Sequence, residues 1–139
     1  MAGKPVLLIT RRLTDVVQAR AARDYQVILN EEDRVFSHDE LIARCQDVDA
    51  VLPCHSEHFS ADVIAALGDR LRIIANHSVG VDHVDLNAAK KAGIVVTNTP
   101  DVLSDATAEI DMLCMLGAAR YGAKGDAMVR AGKWDFWSP

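Results

Sequence analysis

Four short segments carry side chains and backbone freedom that could do chemistry: Arg11-Arg12, Pro53-Cys54-His55-Ser56, His77-Ser78-Val79-Gly80 and Asn98-Thr99-Pro100. The third is the most informative. A small residue, an apolar residue and a glycine let the backbone approach a ligand closely, with N–H groups free to hold a carboxylate. A tight turn that needs glycine for its own geometry has the same composition, and spacing alone leaves both readings open. His55, His58, His77 and His83 fall near these segments, together with Cys54. Their spacing matches no metal-ligand motif, so hydrogen-bonded or solvated loop histidines are expected and a metal site is not. Nothing fixes a catalytic His–Asp or His–Glu pair. The sequence also has no GxGxxG and no GxxxxGK[ST], the glycine patterns that bring backbone N–H groups around phosphates.

The elements that must position these segments are legible from periodicity. Short apolar runs rich in Val, Ile and Leu recur at Val6–Ile9, Val27–Leu29, Ala50–Leu52, Ile73–Ala75 and Ile94–Val96. They are apolar at every position, which suits strands buried on both faces of a parallel sheet. Helical stripes lie between them, such as Val16, Val17 and Ala21, or Leu41, Ile42 and Cys45. Ser37 and Glu40 form an S-x-x-E capping box. Thr14, Ser60 and Asp85 are expected N-caps, and Gly68 and Gly93 stand where helices should end. Alternation of strand and helix predicts an α/β domain: a flavodoxin-like parallel five-stranded sheet, order 2-1-3-4-5, with helices on both faces. In such sheets ligands bind beyond the carboxyl ends of the strands, where all four segments fall. A receiver-like phosphoacceptor domain shares this topology but needs an acidic cluster there, and Arg11-Arg12 has the wrong sign.

After Pro100 the pattern changes to one long helical stretch, from about Ser104 to Arg130, weakened in its middle by Gly122 and Gly125. It reads as a connector. Trp134 and Trp137 follow it without a further element to bury them. Across the whole chain of 139 residues, half are apolar and a quarter charged, as in ordinary globular proteins. A net charge of −5 argues against nucleic acid as a partner. No apolar run suits a bilayer span, and the N-terminus lacks the pattern of a signal peptide. The three cysteines share no CxxC spacing, so no disulfide framework is expected and a reducing cytoplasm is the simplest compartment.

Two stretches, Asn76-His-Ser-Val-Gly-Val-Asp-His-Val-Asp85 and Gly93-Ile-Val-Val-Thr-Asn-Thr-Pro100, resemble the middle of the D-isomer-specific 2-hydroxyacid dehydrogenases. Ala106-Thr-Ala-Glu109, Ala118-Ala-Arg120, Val129-Arg-Ala-Gly-Lys-Trp134 and Trp137-Ser-Pro139 resemble the same family, of the glyoxylate/hydroxypyruvate reductase type. The resemblance implies a substrate-binding portion over residues 1–100 and an interdomain helix and dimerisation segment over 101–139. It implies that backbone N–H groups of Ser78, Val79 and Gly80 hold the substrate carboxylate, and that the loop around Pro53 and Cys54 lines the same pocket. Thr107 is expected near the cofactor. Trp137 is expected either to reach into a partner subunit's active site or to pack in a dimer interface. The family's catalytic arginine, its Glu–His pair and its dinucleotide-binding domain would all follow the position of Pro139, so no catalytic residue is assigned to this chain. The implied parent reaction is reduction of a small 2-keto acid, glyoxylate or hydroxypyruvate, to the D-2-hydroxy acid. NAD or NADP would be the cofactor, bound mainly by the absent domain, in a homodimer. The alternative is a stand-alone, non-catalytic module that binds a small acid or dimerises.

Overall fold

The computed structural model describes residues 3–137, in two compact units, the first ending at Pro100 and the second beginning at Asp101. In the first, β1 (Val6–Ile9), α1 (Asp15–Asp24), β2 (Gln26–Leu29), α2 (His38–Cys45), β3 (Ala50–Leu52), α3 (Ala61–Ala66), β4 (Ile73–Ala75), α4 (Leu86–Lys91) and β5 (Val95–Thr97) alternate strictly. All neighbouring strands pair in parallel, in the order β2-β1-β3-β4-β5. This is the flavodoxin-like order expected from the alternation.

Side chains of a strand point alternately to the two faces, and the register turns that rule into rows. Ile28, Leu8, Val51, Ile74 and Val96 form one row across the sheet. Its central members Leu8, Val51 and Ile74 are fully buried beneath Leu41 and Cys45 of α2, Val63 and Ile64 of α3, and Ala89 of α4. On the other face, Leu7, Ile9 and Ala50 pack with Ala21 of α1. Both edge strands are more open than their apolar composition implies: Ile28, Leu29 and Val95 are exposed. An edge strand lacks a neighbour on one side, so apolarity at every position does not by itself secure burial there.

Local chemistry sets the element ends. Ser37 and Glu40 form the expected capping box, and the Ser60 and Asp85 side chains cap α3 and α4 at the amides of Val63 and Ala88. Thr14 stands at the N-cap of α1 with an extended backbone, but its side chain makes no cap hydrogen bond. Gly93, at φ +70°, ends α4 in the left-handed conformation that favours glycine. Gly68 serves differently: a Cβ there would meet Gln46 Oε1 at 3.2 Å and the Gln46 carbonyl oxygen at 3.3 Å. Strand β5 begins one residue later than its apolar run, because the Ile94 amide is taken by the Ala89 carbonyl at the helix exit.

The second unit contains α5 (Ser104–Ala119) and α6 (Gly122–Arg130). The helical stretch read from the sequence therefore breaks in its middle, at Tyr121, whose φ is +54°. A Cβ on Gly122 would lie 3.4 Å from Gly117 Cα, so the paired glycines let the two helices meet closely. No residue of either helix is buried. Of the Trp-Ser-Pro end, Trp137 is described and exposed, while Ser138 and Pro139 lie outside the described residues.

Candidate functional site

The loops that follow the strands are joined to one another in the order of the sheet. Asp33, in the loop after β2, accepts from Arg11 Nε at 2.9 Å and from the Arg12 amide at 2.7 Å. Arg11, after β1, donates through Nη1 to Ser56 Oγ, after β3, at 3.1 Å. The His77 amide, after β4, donates to the Pro53 carbonyl at 2.8 Å. The Thr99 amide, after β5, donates to the Ser78 carbonyl at 3.0 Å, and Asn98 Nδ2 donates to the Val79 carbonyl at 2.8 Å. One rim of hydrogen bonds thus runs along the carboxyl end of the sheet.

Within that rim the segment from Ser78 to His83 is unusual in how its backbone is used. Its carbonyls are engaged at every residue but Asp82: Ser78 and Val79 as above, Gly80 by Ser78 Oγ at 2.7 Å, Val81 by the Val84 amide, and His83 by the Phe59 amide at 2.7 Å. Its amides are free. Among the described residues, no acceptor is bound to the backbone N–H of Ser78, Val79 or Gly80. Val79 and Gly80 are exposed and Ser78 is half-buried. Fixed carbonyls with open amides leave a local excess of positive dipole ends, the arrangement that binds an anion such as a carboxylate.

Cys54 stands next to this segment, its Sγ 3.8 Å from His77 Nδ1. Burial, and then Glu57 nearby, push the Cys54 thiol up from its ordinary range, with Arg11 opposing. It is therefore a poor thiolate nucleophile at neutral pH. Arg11 is held on two sides and its pKa is raised, first by its hydrogen bond to Asp33. Asp33 is held below the usual carboxylate range by the same contact and by the Arg12 amide. The two charges offset each other, so Arg11 acts more as a tie between loops than as a free cation.

Below the rim lies a polar layer that sequence reasoning missed. Thr10, Asn30, Glu57, Asn76 and His83 are the buried polar residues of the described structure; Thr10, Asn30 and Asn76 directly follow β1, β2 and β4, while Glu57 and His83 lie in the loops after β3 and β4. Glu57 accepts from the Thr10 hydroxyl at 2.7 Å and from Ser56 Oγ at 3.1 Å. Asn30 Nδ2 donates to the carbonyls of Thr10 and Arg34, both at 2.7 Å. Asn76 Nδ2 donates to the Thr97 carbonyl, which leaves Asn76 Oδ1 to accept from His83 Nε2 at 2.9 Å. A signal was present: Thr10, Asn30 and Asn76 each directly follow an apolar run.

Of the residues singled out from the sequence, Cys54, Ser78, Val79 and Gly80 come together in these adjacent loops. Thr107 and Trp137 belong to the second unit. The Thr107 hydroxyl donates to the Leu103 carbonyl at 3.0 Å, within the first turn of α5. Trp137 lines a shallow cleft with Met128, Trp134 and Phe136. The histidines remain dispersed: His55 and His83 meet edge to face with ring centroids 6.4 Å apart, while Cys54 pairs with His77. Among the described residues, no group of three or more His, Cys, Asp or Glu is placed to hold a metal ion. No described helix is long and apolar enough to cross a membrane.

The model of the D-isomer specific 2-hydroxyacid dehydrogenase catalytic domain matches residues 7–119. A glycerate dehydrogenase from Hyphomicrobium methylovorum is 39% identical over 137 residues, covering 99% of this chain and 42% of its own length. A glyoxylate reductase from Pyrococcus furiosus is 39% identical over 131 residues, which is 94% of this chain and 39% of that protein. Among solved structures, an NADPH-dependent glyoxylate/hydroxypyruvate reductase from Sinorhizobium meliloti, in complex with NADP and malonate, superposes with a TM-score of 0.77. It is 27% identical and covers 95% of this chain and 40% of its own. The chain therefore spans about two fifths of the length of the relatives it matches.

Proposed function

Since the chain belongs to the D-isomer specific 2-hydroxyacid dehydrogenase family, we propose that it is the substrate-binding portion of an oxidoreductase that reduces a small 2-keto acid. Glyoxylate and hydroxypyruvate are the substrates we favour. The observation that carries this reading is the run of free backbone amides at Ser78, Val79 and Gly80, held in place through their carbonyls. A planar carboxylate is a good match for two or more converging N–H donors, and charge-assisted hydrogen bonds of that kind are the strong ones. Cys54 would wall the same pocket on the β3 side. Boundaries at residues 1–100 for this portion and 101–139 for a connecting and dimerising segment belong to the same proposal.

The nicotinamide, when bound, supplies the hydride. The residues of this chain do not make up a site for it. The turn after β1 reads Thr10-Arg11-Arg12-Leu13, with no glycine, so the backbone cannot close around a pyrophosphate as it does in dinucleotide folds. Thr107 is the residue we assign to a cofactor contact, its hydroxyl oxygen still able to accept. The remaining contacts to NAD or NADP, the catalytic arginine and the acid that donates the proton are assigned outside this chain. We further propose a homodimer, formed through the second unit, because α5 exposes Ile110, Met112, Leu113, Met115 and Leu116 and the segment after α6 exposes Trp134, Phe136 and Trp137. Apolar surface of that extent marks an interaction surface. A cytoplasmic location is part of the same reading.

Titration of the isotope-labelled chain with glyoxylate and hydroxypyruvate tests the proposal. The amide resonances of Ser78, Val79 and Gly80 are expected to shift and saturate. A chain that binds no keto acid would remove the basis of the reading. Binding by a native gene product that shows no reductase activity with NADH or NADPH would favour a stand-alone acid-binding module instead.

A further inference from the structure

The loop of open amides is suspended at both of its ends from the loop that follows β3. At one end the His77 amide donates to the Pro53 carbonyl at 2.8 Å; at the other, the Phe59 amide donates to the His83 carbonyl at 2.7 Å and the Asp85 amide to the Phe59 carbonyl at 2.9 Å. Phe59 and Val84 form an isolated parallel bridge at that second point. Whatever fixes residues 53–59 therefore fixes the anion-binding loop. Glu57 sits between the two suspension points, 2% exposed. Its Oε2 accepts from Thr10, a fully buried residue directly after the interior strand β1, and its Oε1 accepts from Ser56. Ser56 in turn receives Arg11, whose Nε is held by Asp33. The polar chain runs Asp33, Arg11, Ser56, Glu57, Thr10, and Thr10 is joined to Arg11 by the backbone, so it closes on itself.

A buried carboxyl group is a costly way to fill space, because polar groups lose their water on burial and must be compensated in full by hydrogen bonds. What it adds is direction: a fully satisfied buried network specifies one arrangement where apolar packing would accept several. We infer that Glu57 is a positioning residue for the substrate carboxylate site, acting through the Pro53–His77 and Phe59–His83 hydrogen bonds on the amides of Ser78, Val79 and Gly80. The role of those amides rests on the function proposed above; the mechanical role of Glu57 does not.

The experiment uses the whole chain with Glu57→Gln, which keeps the shape and changes the hydrogen-bonding capacity. Two less invasive variants accompany it: Ser56→Ala, which cuts the link to Arg11, and Ser56→Thr, which restores a hydroxyl. Hydrogen exchange is followed at the His77 and Phe59 amides and at core amides of Leu8 and Ile74, and each variant is titrated with glyoxylate. Glu57→Gln is expected to cost about tenfold in protection at His77 and Phe59 and about tenfold in glyoxylate affinity, the scale of one hydrogen bond to a charged partner. Leu8 and Ile74 should keep their protection. Ser56→Ala should move both readouts in the same direction and Ser56→Thr should recover them. Unchanged protection at His77 and Phe59, unchanged affinity, or a uniform loss that includes Leu8 and Ile74 would each overturn the inference. If the unmutated chain binds no glyoxylate, the carboxylate reading fails by itself, and the exchange data alone decide whether Glu57 holds the loop.

Discussion

At the scale of single residues, Gly80 and His83 bear on the same loop by different physics. Gly80 does not take a positive φ, and a Cβ added there would meet Asp82 Oδ2 at 3.3 Å, the end of a flexible side chain. Gly80→Ala should therefore fold with a stability change within about 1 kcal/mol. It should nonetheless weaken glyoxylate binding by about tenfold or more, because a methyl group then stands among the open amides. Urea unfolding and calorimetric titration of the same sample separate the two effects; equal affinity in both proteins would refute the assignment of the loop. His83 is held below the ordinary histidine range, mainly by burial and then by His55 and His58, with Asp82 and Glu57 opposing. The folded form is thus the neutral ring, donating from Nε2 to Asn76. The unfolded chain takes up that proton near pH 6.5 and the folded chain only at lower pH, so the unfolded state binds more protons in between. This contribution is fully present above about pH 6.5 and is lost as pH falls through the depressed folded value. His83→Gln should flatten the fall in urea midpoint between about pH 7.5 and 5.5. An equally steep fall in the variant would count against this account.

Helices and strands obey more general rules, and more of them were readable. The strand order followed from the alternation of apolar runs and amphipathic stretches, and Ser37-x-x-Glu40 announced its capping box because both partners are local in sequence. Gly93 and Gly68 show where that legibility ends. Both follow a helix, yet only Gly93 takes a positive φ, whereas Gly68 is constrained by Gln46, a contact that no local pattern encodes. The same holds for the site. The Ser78–Gly80 segment was visible in composition and family resemblance, but the Glu57 network joins residues up to 47 positions apart and depends on the register of β1 against β3. A glutamate within a polar loop segment gives no hint that it will be buried. The contrast between the glycines yields a prediction at this scale. Gly93→Ala should cost about 1 kcal/mol or more, since a left-handed residue now carries a Cβ, while leaving glyoxylate affinity unchanged. A variant as stable as the parent in urea would show that the end of α4 relaxes to another conformation.

For the whole molecule, the decisive feature is how unevenly burial is distributed. Every residue of both core clusters, from Val6 to Val96, lies in the first unit, while α5 and α6 bury nothing. The first unit holds its own core, which is the condition for folding alone. The second has apolar side chains on more than one side of α5, and a helix that is apolar all round is stable only when covered. In water that surface should be covered by a second copy, since a symmetric pairing places the same apolar residues on both sides. Sedimentation equilibrium of the full chain should therefore give twice the mass of 15.1 kDa. A chain ending at Pro100 should sediment as a monomer and still unfold cooperatively. Leu113→Asp with Leu116→Asp should dissociate the dimer without changing the urea midpoint of the first unit, because neither residue contributes to its core. A full chain that stays monomeric at tens of micromolar would refute the homodimer. A truncated chain that fails to fold would show that the first unit needs more than its own core.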